Sequence, residues 1–191
     1  MSLLNACWVG QARTAISYLE RGADIHERDS NDGTSLHWAS LHGHIHVAVA
    51  LMDYGADVDA RDGHHSTPLI WACRKNQEDV AVALIEKGAD IFAQDTKGLT
   101  PLHIACRNSL EQVAMSLIEK GRCFDVSDNE NEQLNQSSNH PSPLVYACMN
   151  QMSTVALELI KEGADVHPAY ASNNFATALH IASENGLVDV V

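Results

Sequence analysis

The sequence predicts an all-α solenoid of stacked antiparallel helix pairs, and three observations carry that reading. Gly22, Gly55, Gly88 and Gly121 fall at equal steps of 33 residues, with Gly163 following after 42. Leu3, Leu36, Leu69 and Leu102 keep the same step, followed by Leu144 after 42 and Leu179 after 35. Four of the glycines open a near-constant phrase: Gly22-Ala23-Asp24-Ile25, Gly55-Ala56-Asp57-Val58, Gly88-Ala89-Asp90-Ile91 and Gly163-Ala164-Asp165-Val166. A period of this length means that one supersecondary unit is copied along the chain.

Each repeat reads as two short helices and an extended tip. In the third, Thr67 is placed to cap a helix that begins at Pro68, where the missing N–H removes no helical bond, and that runs to Arg74. After a break at Asn76-Gln77, Val80, Ala81, Leu84 and Ile85 recur at helical spacing, and a left-handed Gly88 stops the second helix. In the same register, helix pairs are expected over about 3–22, 34–55, 67–88, 100–121 and 142–163, with a partial sixth over 177–191. Helices this short are marginal alone and cannot cover their apolar faces within one repeat, so neighbours must stack. The whole chain, 1–191, is then one repeat domain, with Leu69, Leu84, Leu102, Leu117, Leu144 and Leu159 buried between helices. Val190 would be only the first apolar residue of the sixth repeat's second helix. Terminal repeats normally act as polar caps, so the chain is expected to be cut from a longer array.

Composition narrows the function. Hydrophobic residues at 45% and charged residues at 19% allow a packed core, and aromatics at 5% require that it be built from small aliphatics. Twelve basic against 25 acidic residues, a net charge of -13, argue against attraction to nucleic acid or to an anionic bilayer. No apolar run approaches the roughly 18 residues of a spanning helix and no cleavable leader is present, so a soluble chain without membrane insertion is expected. Cys7, Cys73, Cys106, Cys123 and Cys148 are odd in number and form no CxxC pair, which fits reduced thiols in an intracellular, cytoplasmic setting.

Thr100-Pro101-Leu102-His103-Ile104-Ala105-Cys106 is the fullest copy of a second phrase, with close variants at Thr34-Ser35-Leu36-His37-Trp38-Ala39 and Thr177-Ala178-Leu179-His180-Ile181-Ala182. Together with the terminal Gly-Ala-Asp phrase this resembles the ankyrin repeat family over nearly the whole chain. Ile70 and Val145 depart from the histidine, and Arg122-Cys123-Phe124 from the Ala-Asp pair. The resemblance implies an L-shaped stack with hairpin-like loops at right angles to the helices. It also implies histidines that bridge loops, and protein binding through the loop tips and first-helix ends.

Two constellations invite chemistry. His42, His44 and His46 alternate and His64-His65 follow one repeat on, but Gly43 breaks the helix among them, so no metal site is expected. Cys73, Cys106 and Cys148 share a register with Cys7, Ser40 and Ser183, which marks a small packing residue and not a nucleophile with its own base. Phosphate-binding loops, HExxH and GxSxG patterns are absent, so no catalytic residue, cofactor or small-molecule substrate is expected.

One register holds Trp38, Trp71, Ile104, Tyr146 and Ile181, and its tryptophans and tyrosine are of the kind that anchor interfaces. Carried over position by position, the family's binding surface falls at the tips on His64, Ser66, Lys97 and Leu99. At the helix ends it falls on Leu41, His42, Arg74, Lys75, Arg107, Asn108 and Met149. Arg74, Lys75, Lys97 and Arg107 hold four of the 12 basic residues, which favours an acidic or phosphorylated partner. The polar insertion at about 125–140 reads as a mobile loop, with an acidic context at Ser127. The function expected is a non-catalytic scaffold holding a protein or peptide on its concave face. The alternative is a targeting or regulatory arm of a larger enzyme or channel.

Overall fold

The computed structural model describes residues 2–122, 140–166 and 177–187. Most of the insertion with Ser127, Cys123, and residues 188–191 lie outside them. Contacts divide the chain at Thr96 and Lys97 into an N-terminal block, Met1–Thr96, and a C-terminal block, Lys97–Val191.

The N-terminal block holds three helix pairs: α1 (Leu3–Val9) with α2 (Ala12–Glu20), α3 (Ser35–Leu41) with α4 (Ile45–Asp53), and α5 (Pro68–Arg74) with α6 (Glu78–Glu86). Sequence chemistry sets their ends. Ser2 accepts from Asn5 N–H at 3.3 Å at the start of α1, and Thr67 accepts from Ile70 N–H with Pro68 in the first turn of α5. The break inside each pair needs a left-handed residue, which is Gly10 (φ 80°), Gly43 (φ 71°) and then Asn76 (φ 57°). First helices pack on first helices (α1 on α3, α3 on α5) and second on second (α2 on α4, α4 on α6), giving two layers. Leu36, Leu51, Leu69 and Leu84 are buried between them, alongside Ala39, Ala72 and Cys73 where the helices approach most closely. Each leucine removed from water contributes roughly 1.5–3 kcal/mol, which no seven-residue helix could gather alone.

The C-terminal block repeats the scheme with α7 (Pro101–Arg107), α8 (Glu111–Arg122), α9 (Pro143–Met149), α10 (Ser153–Lys161) and α11 (Ala178–Glu184). Here α7 packs on α8 and α9, α9 on α10 and α11, and α8 on α10. Leu117, Leu144 and Leu159 are buried as expected, whereas Leu102, near the start of the block's first helix, is only half-buried. Ser109 (φ 59°) and Gln151 (φ 57°) occupy the left-handed break that glycine fills at Gly10, Gly43 and Gly186.

Loop tips in the N-terminal block are locked to one another. Asp29 Oδ1 accepts from Asn31 N–H (2.7 Å) and Gly33 N–H (2.9 Å), and Asp62 Oδ1 accepts from His64 N–H (2.9 Å) and Ser66 N–H (2.8 Å). These turns close on a short acceptor side chain, the role for which aspartate is favoured in turns. Gly63 N–H then donates to Asn31 O, Thr96 N–H to His64 O, and Arg28 Nη1 to Arg61 O, so each tip braces the next.

Candidate functional site

Where the first helices of the N-terminal block end, aromatic rings from three repeats meet. Trp38 in α3 and Trp71 in α5 have centroids 5.6 Å apart and cross at 82°. Trp8, near the end of α1, approaches Trp38 edge-on at 6.3 Å. His42 lies parallel to Trp38 at 6.1 Å and stacks on His44 at 5.8 Å. The row is open on one side: Trp8 is 54% and Val9 51% exposed, His42 is exposed, and Trp38 and Trp71 are half-buried.

Carboxylates hold the indoles in place. Trp38 Nε1 donates to Asp29 Oδ2 and Trp71 Nε1 to Asp62 Oδ2, both at 2.8 Å. Because the other oxygen of each carboxylate already serves the tip backbone, these acids are occupied on both sides. One repeat further, Asp95 is buried and takes the Arg74 guanidinium instead, which also donates to Ser66 Oγ at 2.9 Å. A carboxylate taken out of water is stable only with such charged or multiple donors.

His37 carries the second set of bonds. Its Nδ1 accepts from Thr34 N–H at 3.1 Å, which assigns the proton to Nε2 and makes that nitrogen the donor to Ser66 O at 3.0 Å. The ring is buried and meets Trp71 edge-on at 5.3 Å. Burial holds its pKa below the ordinary histidine value, more than the Ser66 carbonyl, Asp62 and Asp29 restore it. His42 is also held low, by burial first and then by the positive charges of His44 and Lys75.

His44 locks the edge of the row. Its Nε2 lies 3.1 Å from Trp8 O, and its ring fills the space beside Gly10, where a Cβ would stand 2.6 Å from the imidazole. Glycine there serves two ends, the left-handed turn and the seat of His44.

The residues anticipated from sequence divide by exposure. His42, His64 and Lys75 in the N-terminal block, and Lys97, Arg107 and Met149 in the C-terminal block, are exposed. Trp38, Leu41, Trp71, Arg74 and Asn108 are half-buried. Ser66, Leu99 and Tyr146 are buried, at 0%, 3% and 9%, and offer a partner no surface. Ser66 and Leu99 immediately precede the capping threonines, where the chain turns inward, and at Ser66 the N–H folds back to the tip carboxylate. Arg74 is no loose rim cation, since Asp95 and Ser66 hold it.

Two features went unread in the sequence. Trp8 stands 33 residues before Leu41, in the helix-end register. Asp29, Asp62 and Asp95 also keep the 33-residue step, which marks the carboxylates beneath the indoles.

Among the described residues no group of three or more His, Cys, Asp or Glu is arranged to hold a metal ion. The described thiols are buried, and burial pushes Cys7 to about 11, Cys73 to about 12 and Cys148 to about 11, far from a thiolate nucleophile. The helices described include none long and apolar enough to cross a membrane.

The family model for ankyrin repeats (3 copies) matches residues 3–95 and 91–168. The comparison with curated proteins returns no match.

Proposed function

We propose, from the premise that the chain belongs to the ankyrin repeat family, that it is a non-catalytic scaffold holding a protein or peptide against the first-helix ends and loop tips, the concave face of such repeats. The family is generally a protein-interaction module. The observation that carries the finer reading is the aromatic row Trp8–Trp38–Trp71, joined ring to ring across three repeats and open on one side. Tryptophan contributes disproportionately to interfaces because a large rigid area is desolvated with little loss of side-chain freedom.

Binding of this kind needs no chemistry, and high-pKa buried thiols agree with a surface that does none. The same thiols support a reducing, cytoplasmic setting. Exposed Lys75 and His42 beside the row favour an acidic or phosphorylated partner. In the C-terminal block, exposed Lys97, Arg107 and Met149 form a further candidate contact set of its own.

Affinity capture tests the reading, with wild-type chain compared against Trp8→Ala and Trp38→Ala chains and read by mass spectrometry. Partners lost from both variants but kept by Glu86→Ala, an exposed second-helix change, support it. Partners lost only from Glu86→Ala would move the site to the second helices.

A further inference from the structure

We infer that the corner formed by Trp8, Trp38, His42 and Lys75 receives a partner segment in which a carboxylate stands beside a large apolar side chain, and that His42 takes up a proton when the segment docks. The inference rests on the binding reading above and names the ligand chemistry and its pH regulation.

Geometry supplies the apolar half. Trp8 and Val9 are more than half exposed, and Trp8 leans edge-on against Trp38, so the two indoles present one shallow step for an inserted side chain. The step is braced from below by Asp29 on the Trp38 indole and from the side by His44 on the Trp8 carbonyl. A ligand therefore meets rings already in position, which lowers the ordering cost of binding.

The charges that act on His42 are of one sign. Of the elements packed against α3, α1 carries only the buried Cys7 as an ionisable group. At the start of α4 stand His44 and His46, and at the end of α5 Arg74, engaged by Asp95 and Ser66, and Lys75, exposed. Within α3 itself His37 is buried and bonded at both nitrogens. The tip acids Asp29 and Asp62 have both oxygens engaged by backbone N–H groups and indoles. His42 thus feels His44 and Lys75, both of which resist its protonation. On a chain of net charge -13 this corner complements a carboxylate, not a cation.

A carboxylate arriving beside His42 reverses the local balance and favours the imidazolium. The proton affinity of His42 is then higher in the complex than in the free chain. By linkage, binding is strongest at low pH and weakens as pH rises through the bound-state pKa of His42. Ligand carboxylates, with ordinary pKa values near 4, stay ionised at pH 5.5, so the effect is visible there.

The probe is a random peptide library displayed on phage and selected on the full chain at pH 6. The enriched peptides are then synthesised and titrated by fluorescence anisotropy against wild-type, His42→Gln, Trp8→Ala, Trp38→Ala and His46→Gln chains that melt as wild type does. Enriched sequences are expected to place Asp or Glu within two residues of Trp, Phe, Leu or Met. Wild-type affinity should rise about tenfold from pH 7.5 to 5.5, one pKa unit of linkage being one decade. His42→Gln should flatten that profile, His46→Gln should keep it, and Trp8→Ala should weaken binding about thirtyfold at both pH values. Enriched peptides without acids, or a pH profile that persists in His42→Gln, overturn this inference and leave the binding face standing. Peptides that bind the Trp8→Ala and Trp38→Ala chains as tightly as wild type overturn the face itself. A selection that enriches nothing overturns both.

Discussion

Replacing His37 by isoleucine isolates the contribution of the histidine that ties one repeat to the next. Isoleucine is a natural occupant of this register, since Ile70 stands there in the third repeat and is fully buried. The substitution keeps an apolar side chain of similar bulk, so cavity terms stay small. What changes is hydrogen bonding: Thr34 N–H loses the Nδ1 acceptor, while Ser66 O loses the Nε2 donor but keeps Asp62 N–H at 3.0 Å. A buried donor left without a partner costs about 1–3 kcal/mol, so the orphaned Thr34 N–H should make His37→Ile less stable by roughly 1–3 kcal/mol at pH 7.5.

The pH dependence gives an independent check. His37 must be neutral to accept from Thr34 N–H, and its folded-state pKa lies below the ordinary 6.5. A depressed histidine pKa means that the unfolded chain binds the extra proton, so the stability His37 supplies is complete above pH 6.5 and falls as pH drops. Going from pH 7.5 to 5.5, the gap between wild type and His37→Ile should narrow, by no more than about 1.4 kcal/mol, since pH 5.5 lies one unit below the unfolded pKa. Urea unfolding followed by far-UV circular dichroism at both pH values measures each quantity. A His37→Ile chain within 0.5 kcal/mol of wild type at pH 7.5, a difference small against the ~1–3 kcal/mol of one orphaned bond, would refute the bridging role. A constant gap across pH would refute the neutral tautomer.

Three further outcomes follow from burial and backbone geometry. Leu69→Ala, at 0% exposure, should cost about 2–5 kcal/mol in urea melts, and half-buried Leu102→Ala distinctly less. Gln151→Gly should stabilise by about 0.5–1 kcal/mol, because the left-handed φ of 57° strains a residue with a Cβ more than glycine's added chain entropy costs; a lower melting temperature would contradict that. Cys7, Cys73 and Cys148 should resist a thiol reagent at pH 8 in the native chain and react in guanidinium, read by peptide mass mapping; native labelling at rates like those of a small thiol would show that the helix contacts open readily.

The repeat was legible because its marks are local. Thr67-Pro68 announces a helix start and Gly88 a stop by chemistry that needs no neighbour, and both hold in the structure. Positions whose meaning depends on a partner repeat were harder. Ser66 and Leu99 sit in tip sequences that look polar or loop-like, yet the chain turns them inward ahead of the capping threonine. Trp8 escaped notice because the first repeat lacks the Thr-Pro-Leu-His phrase, so its helix end had no flag. Arg74 read as a free cation because Asp95 lies 21 residues away, and only the stacked tips bring the two together.

The three tip aspartates show why net charge is a poor guide to this face. The same register, at Asp29, Asp62 and Asp95, serves two indoles and then a guanidinium. In each case the carboxylate is engaged inside the stack: Asp29 and Asp62 act on the buried His37, whereas the charges that act on His42 are those of His44 and Lys75. Elsewhere the chain balances its charge at the surface, as in the exposed Lys87–Asp53 pair at 2.6 Å, where water screens both members and the bond adds little. What the aromatic corner presents is therefore the remainder, Lys75 and a histidine pair, set beside indoles of which Trp38 and Trp71 are held by the tip acids. An acidic chain presents a locally cationic, apolar step because its acids are positioned to hold that step together.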